Sequence, residues 1–163
     1  MSTTIEQIDV RAMLNGWLKG LNHMFKTDVN AIPDDKWTAT FGGCTRPCSD
    51  IAADTIGFLF WTAKAFEVGG TPPPDKEAQD KMTAACGTKA GALDMFDKAT
   101  AAISTALVNA SDETLHKKAD APWGMEAPLY EFAQIAISHI WYHDGQINYV
   151  QCLLGDDKYH WAH

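Results

Sequence analysis

Positive charge is scarce in this chain. Thirteen Lys and Arg stand against 21 Asp and Glu, a formal net charge of −8 over 163 residues. Nucleic-acid binding draws most of its affinity from phosphate neutralisation by Lys and Arg. No basic stripe interleaved with aromatics is present, so DNA, RNA and anionic membranes are not expected partners. The acidic surface argues instead for solubility. No apolar run approaches the roughly 18 residues that cross a bilayer. The first six residues, Met1-Ser2-Thr3-Thr4-Ile5-Glu6, lack the basic and apolar stretches of a secretory leader, which makes a cytoplasmic location the expectation. Cysteine is sparse as well. Cys44, Cys48, Cys86 and Cys152 are unevenly spaced, and a chain of this length needs no disulfide staples, so reduced thiols are expected. Strand-like alternation of any length, internal repeats, low-complexity tracts and linkers are all missing. The chain reads as one domain over 1–163, with a core over about 4–155 and a short irregular tail over 156–163.

Helical periodicity is what the chain has in their place. Leu14, Trp17, Leu18, Leu21 and Phe25 fall within a sector of roughly 100° on a helical wheel. Thr3-Thr4-Ile5-Glu6 reads as a capping box ahead of them, which predicts a first helix over about 4–27. Ser49 with Asp50 can cap a second helix through Ile51, Phe58, Trp61 and Ala65. Gly69-Gly70 ends it, and Pro72-Pro73-Pro74 forbids its continuation. Residues 75–84 are polar and predict a short helix or turn. A third long helix over 88–110 carries Leu93, Phe96, Ile103 and Leu107. Residues 111–127 read as a connecting loop containing Pro122-Trp123-Gly124. Pro128 suits the first turn of a fourth long helix, which runs to Leu154 and stops at Gly155. Four long helices predict an all-α fold, a four-helix bundle.

The fourth helix carries the chemistry. On its wheel Phe132, His143, Gln146 and Val150 all fall within about 40° of His139. Two histidines and a glutamine thus sit in the middle of the apolar stripe, while Trp141 and Asp144 point elsewhere. Imidazoles at i and i+4 are one turn apart and can hold one metal ion from the same side. Neutral imidazole suits zinc, nickel, copper and iron. The competing reading is a pair of core histidines satisfied by hydrogen bonds.

Helix 2 offers a third donor. On its wheel Asp54 lies within about 60° of Ile51, Phe58, Trp61 and Ala65, and is expected to face inward. A buried carboxylate must be paired, protonated or bound to a cation. Two histidines and a carboxylate around open coordination positions form a common catalytic metal set. Alternatively, Asp54 caps a loop or pairs with Arg46.

The stretch Ser138-His139-Ile140-Trp141-Tyr142-His143-Asp144-Gly145-Gln146, followed by an apolar run to Leu153-Leu154-Gly155, resembles the last core helix of the DinB/YfiT-like superfamily, with its H-x-x-x-H-x-G-Q pattern. Pro122-Trp123-Gly124 and Pro128-Leu129 are similar to that family's approach to this helix. Lys36-Trp37, a loop and then the helix over 50–65 are similar to its entry into helix 2. The helix order matches over nearly the whole chain, but only the histidine block is specific. The resemblance implies a four-helix bundle, commonly a homodimer, with a divalent metal such as zinc, nickel or iron. It implies three ligands, usually all histidine: one on helix 2 and two on the final helix. His139 and His143 match the latter two. Asp54 stands at or near the position of the first, where this chain departs from the pattern. The resemblance further implies, as in some relatives, a low-molecular-weight thiol cosubstrate, and the small cavity of a bundle implies a small-molecule substrate.

Other features carry less. Cys44 and Cys48 sit four apart before helix 2. A zinc knuckle needs a second pair nearby, and a redox pair is usually C-x-x-C. Gly87-Thr88-Lys89 lacks the earlier glycine and strand of a phosphate loop. His160 and His163 in the tail could bind metal adventitiously or fold over a pocket. His23 is expected to face solvent, and His116 is assigned nothing. Trp123 and Tyr142 are candidates for the mouth of the site, or for packing. Two functions follow. One is a metal-dependent enzyme acting on a small molecule by hydrolysis or thiol transfer. The other is a non-catalytic, dimeric bundle that binds a small ligand or partner and keeps a degenerate metal site.

Overall fold

The computed structural model describes residues 8–161. Helix α1 spans Val10–Ala31, and the Asp9 carboxylate caps it by accepting the Arg11 amide at 2.9 Å. The helix therefore starts and ends later than periodicity predicts. Asp9 is the effective cap, and the polar turn after Phe25 stays helical until Ile32-Pro33 stops it. The capping box at Thr3–Glu6 lies outside the described residues.

Helix α2, Cys48–Val68, begins one residue before the expected Ser49–Asp50 cap, with Pro47 in the capping position and no side-chain cap. The Ser49 amide instead donates to the Trp37 carbonyl at 3.1 Å. Trp37 is buried and donates its indole N–H to the Cys86 carbonyl at 2.8 Å, which ties the entry of α2 to the end of the next helix, α3 (Lys76–Cys86). Gly69, at φ 63°, closes α2 in the left-handed conformation that glycine adopts without strain. Helices α3 (Lys76–Cys86) and α4 (Lys89–Asn109) are capped by Asp75 and Thr88.

The segment 111–127 is not all loop. It holds a short helix, α5 (Asp112–His116), and two antiparallel strands, β1 (Lys118–Asp120) and β2 (Glu126–Pro128), paired Lys118 with Pro128 and Asp120 with Glu126. The expectation of no strand is corrected here: three residues are too few for an alternating pattern to register. The hairpin turn contains Gly124 at φ 84° and presents Trp123. Helix α6 follows over Leu129–Leu153, with Pro128 in the capping position.

Four long helices form a ring in the order α1, α4, α2, α6, each packed on its neighbours, with α3 against α2 and α4. Leu14, Phe25, Ile56, Leu59, Phe96, Ile103, Leu107 and Phe132 fill the interior. Trp17, expected in the α1 stripe, is 52% exposed. It sits about 60° from Leu14, at the edge of the apolar sector. There it lines a hollow of about 370 Å³ between α1 and α6, together with Trp141 and the tail residue Trp161. No helix among the described residues is long and apolar enough to cross a membrane.

Candidate metal centre

Helices α2 and α6 run side by side, and their facing residues bring Asp54, His139 and His143 together. One donor atom from each lies within 4.8 Å of the others. The His143 Nε2 is 3.0 Å from His139 Nε2 and 3.4 Å from Asp54 Oδ2. Four donors at about 2.0–2.1 Å from a zinc ion stand about 3.3–3.4 Å apart along a tetrahedral edge. The His143–Asp54 separation matches that value, and the His143–His139 separation is somewhat shorter.

Protonation favours ligation at His143. Its Nδ1 lies 2.7 Å from the Gln146 side-chain oxygen, which can only accept, so Nδ1 carries the proton. The Nε2 lone pair is then free to face His139 and Asp54. An imidazole whose outer nitrogen is held in this way is oriented and made more basic for a metal. His139 is less well supported: its Nδ1 is buried without a partner. Phe58 meets the His139 ring edge-on at 5.1 Å, and Tyr142 stacks beside it at 6.2 Å.

Burial pushes both imidazoles below their ordinary pKa. The His143 ring further lowers His139, and Arg46 lowers both; Asp54 partly offsets the effect at each, as the Gln146 hydrogen bond does at His143. Both are therefore neutral at pH 7, as metal ligation requires. Burial alone would raise the Asp54 carboxyl, but the Arg46 guanidinium and the imidazoles beside it hold it below the usual carboxylate range.

The wheel placed Asp54 in the interior, and this is corrected: its side chain is 44% exposed at the rim of the α2–α6 groove. Its two alternatives coexist. Arg46 Nη1 donates to Asp54 Oδ2 at 2.8 Å, and the same oxygen faces His143. A wheel gives direction around one helix axis, not the point along it where the neighbouring helix ends. The site is thus a groove open to solvent rather than a closed cavity. A hollow of about 500 Å³ between α2 and α4 lies on another side of α2. Trp123, from the hairpin, packs 6.3 Å from Phe58 and 5.5 Å from Phe132, and Tyr142 is 64% exposed, so both stand at the rim.

Sequence reasoning missed a second polar cluster on the opposite side of α6. Asp144 is buried against Asp28 of α1, and the Asn148 amide donates to Asp28 Oδ2 at 2.8 Å and Asp144 Oδ2 at 3.2 Å. Burial and the Asp28 charge push Asp144 up to about 8, so the pair holds a proton. Asp28 continues the stripe of Leu14, Leu18, Leu21 and Phe25, a position that could have disclosed it. The four cysteines are free thiols. Cys48 is buried in the first turn of α2 and raised to about 11 by desolvation, so Cys44 and Cys48 form no exposed pair. His23 faces solvent. His160 pairs with Asp156 at 2.7 Å, away from the triad, and His163 lies outside the described residues.

By its likeness to solved structures the chain has a DinB/YfiT-like, four-helix-bundle fold. No family model and no curated protein sequence matches it. Solved structures do. YfiT from Bacillus subtilis, described as a probable metal-dependent hydrolase with an unusual four-helix bundle topology, superposes with a TM-score of 0.74 at 13% identity, covering 95% of this chain and 94% of its own. A DinB-like protein from Bacillus subtilis gives 0.66 at 11% identity, covering 88% and 92%. A variant of the mycothiol-dependent maleylpyruvate isomerase gives 0.68 at 15% identity, and this chain spans 63% of its length.

Proposed function

We propose that this protein is a divalent-metal-dependent enzyme acting on a small molecule, with His139, His143 and Asp54 as ligands. The observation that carries this reading is the convergence of two Nε2 atoms and one carboxylate oxygen, with the His143 tautomer set by Gln146. Zinc, nickel and iron all suit this nitrogen and oxygen set. When bound, such an ion supplies Lewis acidity that lowers the pKa of a water or thiol and polarises a substrate carbonyl. The chain's own residues do the remainder. Gln146 holds the His143 proton on the outer nitrogen, Asp54 offsets cationic charge, and Phe58, Trp61 and Trp123 keep one flank of the groove apolar. Fold likeness to a probable hydrolase and to a mycothiol-dependent isomerase supports hydrolysis and thiol-dependent transfer alike, the latter with a low-molecular-weight thiol as cosubstrate. We further infer a cytoplasmic homodimer. Free buried thiols at Cys48 and Cys86 support the compartment, and exposed Met13, Trp17 and Trp141 give a second copy an apolar face to cover.

One observation favours the non-catalytic alternative. Arg46 already neutralises Asp54, and the two imidazoles already share a hydrogen bond, so each of the three donor atoms that would face an ion has a protein partner without one. Elemental analysis of protein purified without an affinity tag separates the two. One bound metal per chain, lost in the His139→Ala, His143→Ala variant, is the expected result. Protein that takes up no zinc, nickel or iron, with a double variant of equal or greater stability, sinks the metalloenzyme reading.

A further inference from the structure

The two ends of the groove differ in chemistry. Arg46 reaches from the loop before α2 to Asp54, and Phe58 and Trp61 follow along the same helix face. The α6 residues opposite change in step. His143 faces Asp54 at 3.4 Å, His139 faces Phe58 at 5.1 Å, and Phe132 lies against Trp61 at 5.5 Å. Trp123 closes the aromatic end. Seven residues of helix separate Asp54 from Trp61, so the strip is about 10 Å long: charged at one end and aromatic at the other.

Arg46 is a cation that acts on all three candidate ligands. A guanidinium has five N–H donors. Two are used, by Asp54 Oδ2 at 2.8 Å and by the Asp50 carbonyl at 2.9 Å. The other donors have no protein partner among the described residues, and the side chain is 45% exposed. A divalent ion beside one guanidinium and one carboxylate would leave a surplus of two positive charges here, on a chain whose net charge is −8. Such a spot selects anions from solution, and the planar fork of Arg suits a carboxylate.

We propose that the groove binds a small organic acid, with its carboxylate received by the free edge of Arg46 and an apolar, aromatic body lying on Phe58 and Trp123. This names the substrate class of the metal site above. It rests on that reading for the ion's share of the charge, whereas the part played by Arg46 can be read without metal.

Phenylacetate is the probe, with phenylacetamide as its neutral counterpart and acetate as its headgroup alone. Each is titrated by calorimetry into zinc-treated and metal-free protein, and contact is located by NMR shifts of the His139 and His143 imidazoles. Phenylacetate should bind at the imidazoles more tightly than phenylacetamide. Arg46→Gln should weaken it about ten- to hundredfold, the value of charge-assisted hydrogen bonds, and Arg46→Lys should restore only part. Trp123→Ala should weaken phenylacetate and leave acetate unchanged. Phenylacetamide binding as well as phenylacetate, unchanged affinity in Arg46→Gln, or no binding to either form overturns the proposal. Zinc content of the same samples tests the metal separately. Protein that holds no zinc but loses phenylacetate in Arg46→Gln keeps the acid site and removes the metal reading; the reverse pattern does the opposite.

Discussion

At the scale of the residue, Gln146 matters more than its polarity suggests. It accepts the Nδ1 proton of His143 and so leaves Nε2 free for an ion. His139 has no such partner. Gln146→Leu should cost about 10- to 100-fold in metal affinity, as loss of an outer partner does elsewhere, measured by competition with a chromophoric chelator. Unchanged affinity would assign Gln146 to packing alone. Asp144 gives a prediction of a different kind. Its carboxyl rises from 3.8 to about 8 in the folded protein because it is buried beside Asp28. Between about pH 4 and pH 8 the folded state therefore keeps a proton that the unfolded chain releases, and stability falls as pH rises through that window. Asp144→Asn should flatten the slope and leave the variant more stable than the parent at pH 8. Urea melts at pH 5 and pH 8 check this; a parent equally stable at both, by this pair's share, contradicts it.

At the scale of the element, the tight corner between α3 and α4 depends on Gly91. A Cβ there would stand 2.1 Å from the Ala85 carbonyl oxygen, a backbone atom with little room to move. Gly91→Ala should destabilise by about 1–3 kcal/mol, in the range of overpacked sites, read as a lower urea midpoint with unchanged slope. The four long helices were legible in the sequence because each carries several turns of periodic apolar residues, and two of them end at a stop signal, Gly69 and Gly155. The hairpin was not: its strands are three residues each and its information lies in the turn. The two histidines were legible because their spacing matches one helical turn within an apolar face. Asp54 was legible in direction only. Its half-exposed place depends on Arg46, which belongs to a loop without periodicity, and on how far along α2 the last helix reaches. Asp28 stayed hidden because the polar run Lys26-Thr27-Asp28 interrupts the apolar pattern, and the helix read from that pattern ends at about residue 27, one short of it.

At the scale of the whole molecule, metal and fold are expected to be coupled. An ion that binds only the folded chain stabilises it by about 2.7 kcal/mol at a hundredfold excess over its dissociation constant. Zinc should therefore raise the thermal midpoint of the parent by several degrees and leave the His139→Ala, His143→Ala variant unmoved, which differential scanning calorimetry resolves. A parent indifferent to zinc, nickel and iron would argue for the metal-free triad.

The position of the triad also has a topological consequence. Asp54 lies in the second helix and His139 in the last, and the backbone between them holds α3, α4, α5 and the hairpin. An ion joining the two closes that stretch into a ring and leaves α1 and the C-terminal tail as two open arms. A cross-link across so long a stretch restricts the unfolded chain by an amount that grows only slowly with its length. Trimming either arm by protease would leave the ring closed. The metal-loaded protein should thus fray from its ends inward, with the groove as the last part of the chain to come apart.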